Sequence, residues 1–165
     1  MAKDNSFDLV SEYDLSAVIN ATEQAKREIA TRYDFNGTGS KLEFDRDKHI
    51  IELESGSEVK LEAMIDVLKS KFIRAELDLK FLDTSAEVTQ NNMVSRKTIT
   101  LVKGLDQTKA KQISAIIREN FPKAKSQIQG EAVRVSSGSR DELQQIMAKL
   151  RASDLDFPLS FTNFR

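Results

Sequence analysis

The side chains in this sequence with the clearest chemical potential are cations and hydrogen-bonding groups in its last third. Lysine, glutamine and arginine residues alternate there with apolar residues, and a serine-arginine pair opens a helical pattern. Guanidinium, ammonium, amide and hydroxyl groups together hold phosphate oxygens by charge and by hydrogen bonding. The predicted phosphate-binding residues are Lys123, Lys125, Gln127, Gln129, Arg134, Ser139, Arg140 and Arg165.

Within this set, the loop 136–140 is a second candidate anion site beside the strand residues. It is a glycine-containing turn that meets a predicted helix N-terminus, where unpaired N–H groups attract anions. Ser139 is also explained as a helix N-cap, with Glu142 three residues later completing a capping box. The duplicate loop 55–57 continues into Glu58, which an anion would avoid. The capping interpretation is therefore favoured over a phosphate loop.

Catalytic chemistry has little support in the sequence. His49 is the only histidine and is predicted to lie in a solvated turn beside Asp47. There is no cysteine, which excludes thiolate catalysis, disulfides and cysteine-based metal sites. No phosphate loop, dinucleotide fingerprint or metalloprotease signature is present. We predict no catalytic residue, no cofactor and no metal, and keep a small phosphate-transfer enzyme using His49, or Arg165 with Asn163, as an alternative.

The chain repeats itself. Residues 7–14 match residues 99–106 at an offset of 92, and residues 51–57 match residues 133–139 at an offset of 82. The first half therefore carries an insertion of 10 residues, which must fall between its first helix and the next strand. A repeat of this length has the size of a small domain. The predicted domains are 1–82 and 93–165, joined by a linker at 83–92.

Apolar periodicity gives each half the order strand, helix, strand, strand, helix, strand. Ile51 and Leu53 alternate with glutamates as in a half-buried strand, and Leu77, Leu79 and Phe81 predict a closing strand. This order is the split βαβ, or ferredoxin-like, unit, with two helices on one face of an antiparallel sheet. The sequence thus predicts an α+β protein with two tandem ferredoxin-like domains from an internal duplication.

The sheet faces left uncovered by helices are expected to differ between the halves. Residues 1–82 carry 12 Lys and Arg against 17 Asp and Glu, whereas residues 93–165 carry 13 against 7. The predicted acidic outer face contains Asp8, Glu43, Asp45, Glu52, Glu54 and Asp78. On the basic half the central outer positions lack aromatic side chains, so stacking of RNA bases on the sheet is disfavoured. Phe164 is the nearest aromatic candidate.

The N-terminal residues have no apolar signal region, and no apolar run approaches the ~18 residues of a membrane span. We expect a cytoplasmic protein without a membrane partner.

Several segments in register resemble the YajQ-like family of small bacterial proteins. They are Ser6–Glu12, Glu28–Phe35, Gln127–Gly130, Val133–Val135, Ser139–Gln144 and Pro158–Arg165. The resemblance implies two ferredoxin-like domains and allows an exchange of their first strands. It also implies a cytoplasmic nucleotide-binding role, with RNA as one candidate partner, and no established catalytic activity.

The polar and basic motif positions that the resemblance carries over are Arg32, Asp34, Gln127, Gln129, Arg134, Arg140, Asp141, Asn163 and Arg165. Family members tend to have a lysine where this chain has Ser137-Gly138, and a glycine where it has Ala75-Glu76. The first departure weakens the loop as a phosphate site and shifts the prediction to the sheet face around Arg134 and Lys125.

The favoured hypothesis is a non-catalytic protein that binds a nucleotide or nucleic acid through its basic C-terminal half. Mononucleotide, cyclic dinucleotide and RNA all offer phosphates to the same groups and are not distinguished. The alternatives are a scaffold whose acidic N-terminal sheet face engages a basic protein partner, and the phosphate-transfer enzyme described above.

Overall fold

The computed structural model of the protein describes residues 4–153, 155 and 157–165. These described residues form four α-helices and nine β-strands. The helices are α1 (Leu15–Thr31), α2 (Glu58–Arg74), α3 (Gln107–Asn120) and α4 (Arg140–Ala152). The strands are β1 (Asn5–Val10), β2 (Lys41–Asp45), β3 (Ile50–Ser55), β4 (Leu82–Asp83), β5 (Thr89–Asn91), β6 (Val94–Leu101), β7 (Lys125–Gln129), β8 (Ala132–Ser137) and β9 (Ser160–Thr162). The predicted α+β class with a repeated ferredoxin-like pattern is confirmed.

The two sheets exchange their first strands. One sheet has the order β7-β8-β1-β9, and the other has the order β2-β3-β6-β4 with β5 also paired to β6. Strand β1 pairs antiparallel with β8 and β9, while β6 pairs antiparallel with β3 and β4. Each sheet therefore has ferredoxin-like strand order, but its first strand comes from the other half of the chain.

This exchange divides the protein differently from the predicted boundaries. One compact unit, here the C-terminal unit, consists of Met1–Glu12 with Lys103–Arg165. The other, here the N-terminal unit, consists of Tyr13–Val102. The sequence-based boundaries 1–82 and 93–165 keep each first strand in its own half. The expected linker, 83–92, contains strand β5 and pairs with β6 inside the N-terminal unit.

Burial of apolar strand residues explains why the exchange is stable. Phe7 and Leu9 of β1 are fully buried in the core of the C-terminal unit, among residues such as Val133. Ile99 and Leu101 of β6 are buried in the separate core of the N-terminal unit. Burying one such side chain contributes about 1.5–3 kcal/mol. Both first strands have the same alternating pattern, so the pattern does not reveal which sheet accepts which strand.

The repeat is preserved at the helix starts. Asp14 caps α1 and Asp106 caps α3, each accepting a hydrogen bond from the backbone N–H three residues later. Ser57 and Ser139 cap α2 and α4 in the same way. The insertion lies after α1, as predicted, and contains a 3-10 turn at Tyr33–Phe35.

Strand register fixes the structural equivalences between the halves. Ile51 pairs with Ile99, and Val133 pairs with Leu9. Because Ile51 and Val133 correspond at an offset of 82, Leu9 corresponds to Ile99 and the first strands align at an offset of 90. The offset of 92 predicted for these strands applies to the helix caps that follow them. The reason is that the connection between β6 and α3 is longer than the one between β1 and α1.

Two local predictions were wrong. The alternating Leu77, Leu79 and Phe81 do not form a long strand: residues Leu79–Phe81 form a 3-10 turn, and β4 contains only Leu82–Asp83. Asp78 explains the turn, because its carboxylate accepts a hydrogen bond from the N–H of Lys80 at 2.9 Å.

His49 is half-buried rather than solvated. Its Nδ1 is hydrogen-bonded to the hydroxyl of Tyr13, and its carbonyl accepts from the N–H of Leu101 at 2.8 Å. Burial raises the pKa of Tyr13 above its ordinary value. His49 is thus part of the packing between the β2-β3 hairpin and its neighbours.

Exchange of the strands also reduces the charge difference between the two parts of the protein. The C-terminal unit contains 12 Lys and Arg against 10 Asp and Glu, and the N-terminal unit contains 13 against 16. Their formal net charges are therefore +2 and −3, compared with +6 and −5 for the domains expected from sequence. The acidic residues of the first segment belong to the C-terminal unit, and the basic residues of β6 belong to the N-terminal unit.

Candidate functional site

The predicted phosphate-binding residues fall into two groups in the C-terminal unit. Lys125, Gln127 and Gln129 lie on β7, an edge strand of the four-stranded sheet, and Arg134 lies on the neighbouring β8. Lys123 is exposed just before β7. The second group contains Ser139 and Arg140, which follow β8 at the start of α4, and Arg165, which follows β9 at the opposite edge of the sheet. Since adjacent strands lie about 4.8 Å apart, roughly 14 Å separates the two edges.

The first group shares the sheet face that points away from the helices. Gln127, Arg134, Asp8 and Thr162 are paired in one row across four strands. Lys125 lies two residues from Gln127 and therefore faces the same way. The structure thus brings Lys125 and Arg134 to one face, as the sequence predicted. Whether they bind phosphate stays a prediction.

Arg134 is already compensated on this face. Its Nε donates a hydrogen bond to Oδ1 of Asp8 at 3.0 Å, and Asp8 is only 7% exposed. Asp8 was predicted to lie on the acidic face of the first half, which is wrong because β1 belongs to the other sheet. An arginine that neutralises a buried carboxylate is less available to an incoming phosphate than a free one.

The other oxygen of Asp8 anchors the segment after β9. Asn163 Nδ2 donates to Asp8 Oδ2 at 2.8 Å. The hydrogen bonds from Arg134 and then from Asn163 hold the pKa of Asp8 below its ordinary value of 3.8. Asn163 has a positive φ of 54°, which lets the chain bend without leaving the sheet.

Beyond this bend the chain returns to β1. The N–H of Ser6 donates to the carbonyl of Arg165 at 3.1 Å, and the N–H of Arg165 donates to the carbonyl of Ser6 at 2.9 Å. Phe164 therefore lies between two anchored residues. The positions of Phe164 and Arg165 are fixed by backbone hydrogen bonds and by Asp8, although both side chains are exposed.

Here Arg140 and Arg165, two of the three residues of the second group, line one cleft of ≈290 Å³. The cleft lies in the C-terminal unit, and we call it the arginine cleft. Its polar and aromatic lining consists of Asn5, Ser6, Arg140, Gln144, Phe164 and Arg165. Arg140 Nε donates to Oδ1 of Asn5 at 3.3 Å, which directs the guanidinium towards β1.

The chemistry of the arginine cleft is that of a site for a phosphorylated aromatic molecule. Two guanidinium groups supply charge and paired N–H donors for phosphate oxygens. Phe164 is 61% exposed, and its ring centroid lies 6.0 Å from that of the buried Phe7. A supported, exposed ring can stack on a base.

The loop before α4, which contains Ser137 and Ser139, is already hydrogen-bonded to the carboxylate of Glu142. The N–H of Glu142 donates to Oγ of Ser139 at 3.3 Å, and Oγ of Ser137 donates to Oε1 of Glu142 at 2.7 Å. Ser139 therefore serves as the N-cap, and a carboxylate already lies where an anion would bind. This geometry favours the capping interpretation. Ser139 thus has a structural role, whereas its neighbour Arg140 lines the arginine cleft.

The motif residues Arg32 and Asp34 form a closed ion pair in the N-terminal unit. Arg32 Nε and Nη2 donate to the two carboxylate oxygens of Asp34 at 2.9 and 2.8 Å. These hydrogen bonds hold the pKa of Asp34 below its ordinary value. The guanidinium also lies 5.0 Å from the ring centroid of Phe35. With both partners engaged, this pair stabilises the 3-10 turn.

Sequence reasoning missed the cleft residues Asn5, Ser6 and Gln144 and treated Phe164 as a minor edge aromatic. The first two lie on β1, which only the strand exchange brings beside α4. Phe164 could have been found from its place between Asn163 and Arg165 in the closing motif.

Within residues 4–153, 155 and 157–165 no helix has both the length and the apolar character to span a membrane. The same residues contain no group of three or more His, Asp or Glu side chains arranged to hold a metal ion.

The fold and the cleft define a class: proteins with two ferredoxin-like units that exchange first strands and carry a cationic cleft in one unit. Residues 5–165 match the family model described as nucleotide-binding protein YajQ-like. The chain belongs to this family.

Full-length relatives support the assignment. A protein of Thermobifida fusca is 45% identical over 166 residues, with 100% of both chains covered. A protein of a Nocardioides species is 44% identical, covering 98% of this chain and 99% of its own, and one of Trichodesmium erythraeum is 41% identical with both chains covered completely. All three are named nucleotide-binding protein. These names describe binding and not a reaction.

Proposed function

We propose that the protein binds a nucleotide in the arginine cleft without transforming it. The observation that carries the proposal is that Arg140, Arg165 and the exposed ring of Phe164 line one cleft. The arginines would hold the phosphate and Phe164 would stack on the base, while Asn5 and Gln144 supply amide donors and acceptors for its edge.

The tail geometry supports a preformed site. Backbone pairing with Ser6 fixes Arg165, and the bond from Asn163 to Asp8 fixes the bend before it. A ligand that meets side chains already in position avoids part of the ordering cost of binding. In this proposal Arg134 is a positioning residue, because it holds Asp8 in place for Asn163.

The test is a panel of nucleoside monophosphates, cyclic dinucleotides and short RNAs, measured by fluorescence anisotropy at two salt concentrations. We expect a single nucleotide to bind with an affinity that falls as salt rises, because exposed charge pairs are screened. Arg140→Ala and Arg165→Ala should each weaken binding about 10-fold or more, as expected for charge-assisted hydrogen bonds of about 1.5–3 kcal/mol.

Arg118→Ala is the matched control. Arg118 is an exposed arginine on α3 of the same unit and does not line the cleft. It removes one positive charge and should change affinity less than 2-fold, on the order of an exposed surface charge. Equal losses in all three variants would mean that only overall charge matters and would defeat the cleft assignment. Binding of RNA alone, lost on Lys125→Ala, would move the site to the outer sheet face.

The two alternative functions have weaker support. The outer face of the N-terminal unit is less acidic than expected, because Arg96 Nε pairs with Glu54 Oε1 at 2.9 Å there. A pull-down of basic partners with the full chain and with Glu43→Lys would test the scaffold. For the enzyme, unchanged turnover by His49→Ala on phosphate esters would eliminate the version that uses the histidine.

A further inference from the structure

The duplicated fold builds a second cleft at the position equivalent to the arginine cleft. Asn5 pairs with Ser137 in the C-terminal unit, and Ser95 pairs with Ser55 at the same register in the N-terminal unit. The offset of 82 likewise makes Glu58 the counterpart of Arg140. Ser95, the counterpart of Asn5, and Glu58, the counterpart of Arg140, both line a cleft of ≈410 Å³. We call it the amide cleft; its other principal lining residues are Ser57, Gln90, Asn91, Asn92 and Met93.

The amide cleft has the wrong charge for a phosphate. No Lys or Arg is among its lining residues, and Glu58 occupies the place of an arginine. Glu58 is also the first residue of α2, whose N-terminus carries a partial positive charge of roughly half a unit. The helix terminus offsets about half of the carboxylate charge. The cleft therefore stays weakly negative, which disfavours a phosphate and suits an uncharged ligand.

Hydrogen-bonding capacity is high in the amide cleft. Gln90, Asn91 and Asn92 each carry an amide that both donates and accepts. Among the described residues, none of these three side chains is hydrogen-bonded to another protein group. Amides in this state can read the edge of a base, while the carboxylate of Glu58 can accept hydrogen bonds from sugar hydroxyls.

The hairpin that carries the amides also holds an apolar side chain at the cleft. Asn92 and Met93 connect β5 to β6 with φ values of 50° and 65°, the left-handed geometry of a tight hairpin turn. Glycine is the usual residue at the second position of such a turn. Here the position holds Met93, which is 93% exposed and packs into no core. A residue that is unfavourable for the backbone and unused in packing is typical of a functional position.

We propose that the amide cleft binds a nucleoside, that is, a base with its ribose and without a phosphate. The amides would contact the base edge, the thioether of Met93 would cover its face, and Glu58 would accept from the ribose. The volume of ≈410 Å³ lies within the range of about 300–1,000 Å³ usual for small-molecule sites. The cleft residues all belong to the N-terminal unit, so this site is independent of the one proposed above.

The experiment uses the full-length Arg140→Ala protein, in which binding by the arginine cleft is weakened, and it follows residues of the amide cleft only. Adenosine, guanosine, cytidine and uridine are titrated into ¹⁵N-labelled protein, in parallel with their 5′-monophosphates. At least one nucleoside should shift the amide signals of residues 56–58 and 90–95. Its monophosphate should bind at least 3-fold more weakly, because the cleft has no cation for the phosphate.

Variants make the assignment specific. Met93→Gly should weaken nucleoside binding at least 5-fold while leaving Tm equal or higher, because glycine suits the turn. Glu58→Arg should reverse the preference and favour the monophosphate. Asn20→Ala, an exposed amide elsewhere in the same unit, should change nothing.

Three results would overturn the proposal: no shifts at millimolar nucleoside, equal response to ribose or glucose alone, or binding that Met93→Gly leaves unchanged. None of them would affect nucleotide binding by the unaltered arginine cleft, so the failure of one proposal is distinguishable from the failure of the other.

Discussion

The arginine cleft and the amide cleft occupy the same place in two copies of one fold. Each lies at the N-terminus of the second helix of its unit, next to the start of the exchanged strand. Arg140 in one cleft is Glu58 in the other, and a closing tail in one is a hairpin in the other. The backbone therefore provides a cavity in both units, and a few side chains decide which kind of ligand each can accept.

The same contrast extends to the outer sheet faces. Asp8 and Arg134 form an ion pair whose side chains are 10% and 30% exposed. In the N-terminal unit Glu54 and Arg96 also pair, but with 37% and 57% of their side chains exposed. Two ion pairs of nearly equal length thus differ in their contact with water, and this difference should determine their contribution to stability.

The strongest way to break the comparison of the clefts is to exchange their charges. Arg140→Glu should lower the affinity for a nucleotide about 100-fold, because it replaces an attractive charge with a repulsive one. The double variant with Glu58→Arg should regain phosphate-dependent binding, now with signals from residues 56–58. Isothermal titration of both variants measures the affinities, and ¹⁵N-labelled protein reports the signals. A double variant that stays inert would show that position alone does not define the site.

Removing one charge from each ion pair should sharpen the comparison of the sheet faces. Asp8→Asn leaves Arg134 facing a neutral group in a water-poor position and should reduce the free energy of unfolding by about 2 kcal/mol. Glu54→Gln should reduce it by no more than about 0.5 kcal/mol, because water screens the exposed pair. Urea denaturation of the two variants provides the measurement, and similar losses would contradict the argument from exposure.

The contribution of Asp8 should depend on pH. Its pKa is lower in the folded protein than its ordinary value of 3.8. The pair is therefore fully stabilising above about pH 4 and is lost as the pH falls through the lower, folded pKa. The stability difference between the protein and Asp8→Asn should shrink in that acidic range, whereas a constant difference from pH 7 to pH 2 would exclude a role for ionisation.

The chain connections that the strand exchange uses differ between the repeats as well. The connection between β6 and α3 contains Gly104, whose φ is 85°. The N–H of Gly104 donates to the carbonyl of Ser11 at 2.6 Å. A Cβ there would lie 3.0–3.2 Å from the carboxylate of Glu131, which is the exposed end of a flexible side chain and can move away. The left-handed backbone therefore sets the cost, and Gly104→Ala and Gly130→Ala should each lose about 1–2 kcal/mol. A much larger loss for Gly104→Ala in thermal unfolding would show that Glu131 cannot move.

The smallest effect is expected at Lys125. It is exposed on β7, and the arginine cleft lies at the other edge of its sheet. Lys125→Ala should change nucleotide affinity less than 2-fold and stability by a few tenths of a kcal/mol. A larger loss of affinity in the anisotropy assay would favour the outer face predicted from the sequence.

Much of the fold could be predicted because local rules determine it. The apolar periodicity of the helices and the N-cap at Ser139 are local patterns, and each was found in the structure. The closing strand of the first half was predicted wrongly because the cap formed by Asp78 competed with alternation. Arg140 and Arg165 could be named from residue type, but their common cleft could not be foreseen.

By itself, the sequence determined the duplication, the order of strands and helices in each copy, and the kinds of polar group available. The tertiary structure alone decided which sheet receives each first strand, and with it the neighbours of Asp8 and Asn5. The physical reason is that Phe7 and Leu9 fit an apolar sheet face in the same way as Ile99 and Leu101. Alternation of residues identifies a face to be buried, whereas the choice of partner depends on packing between residues far apart in the chain.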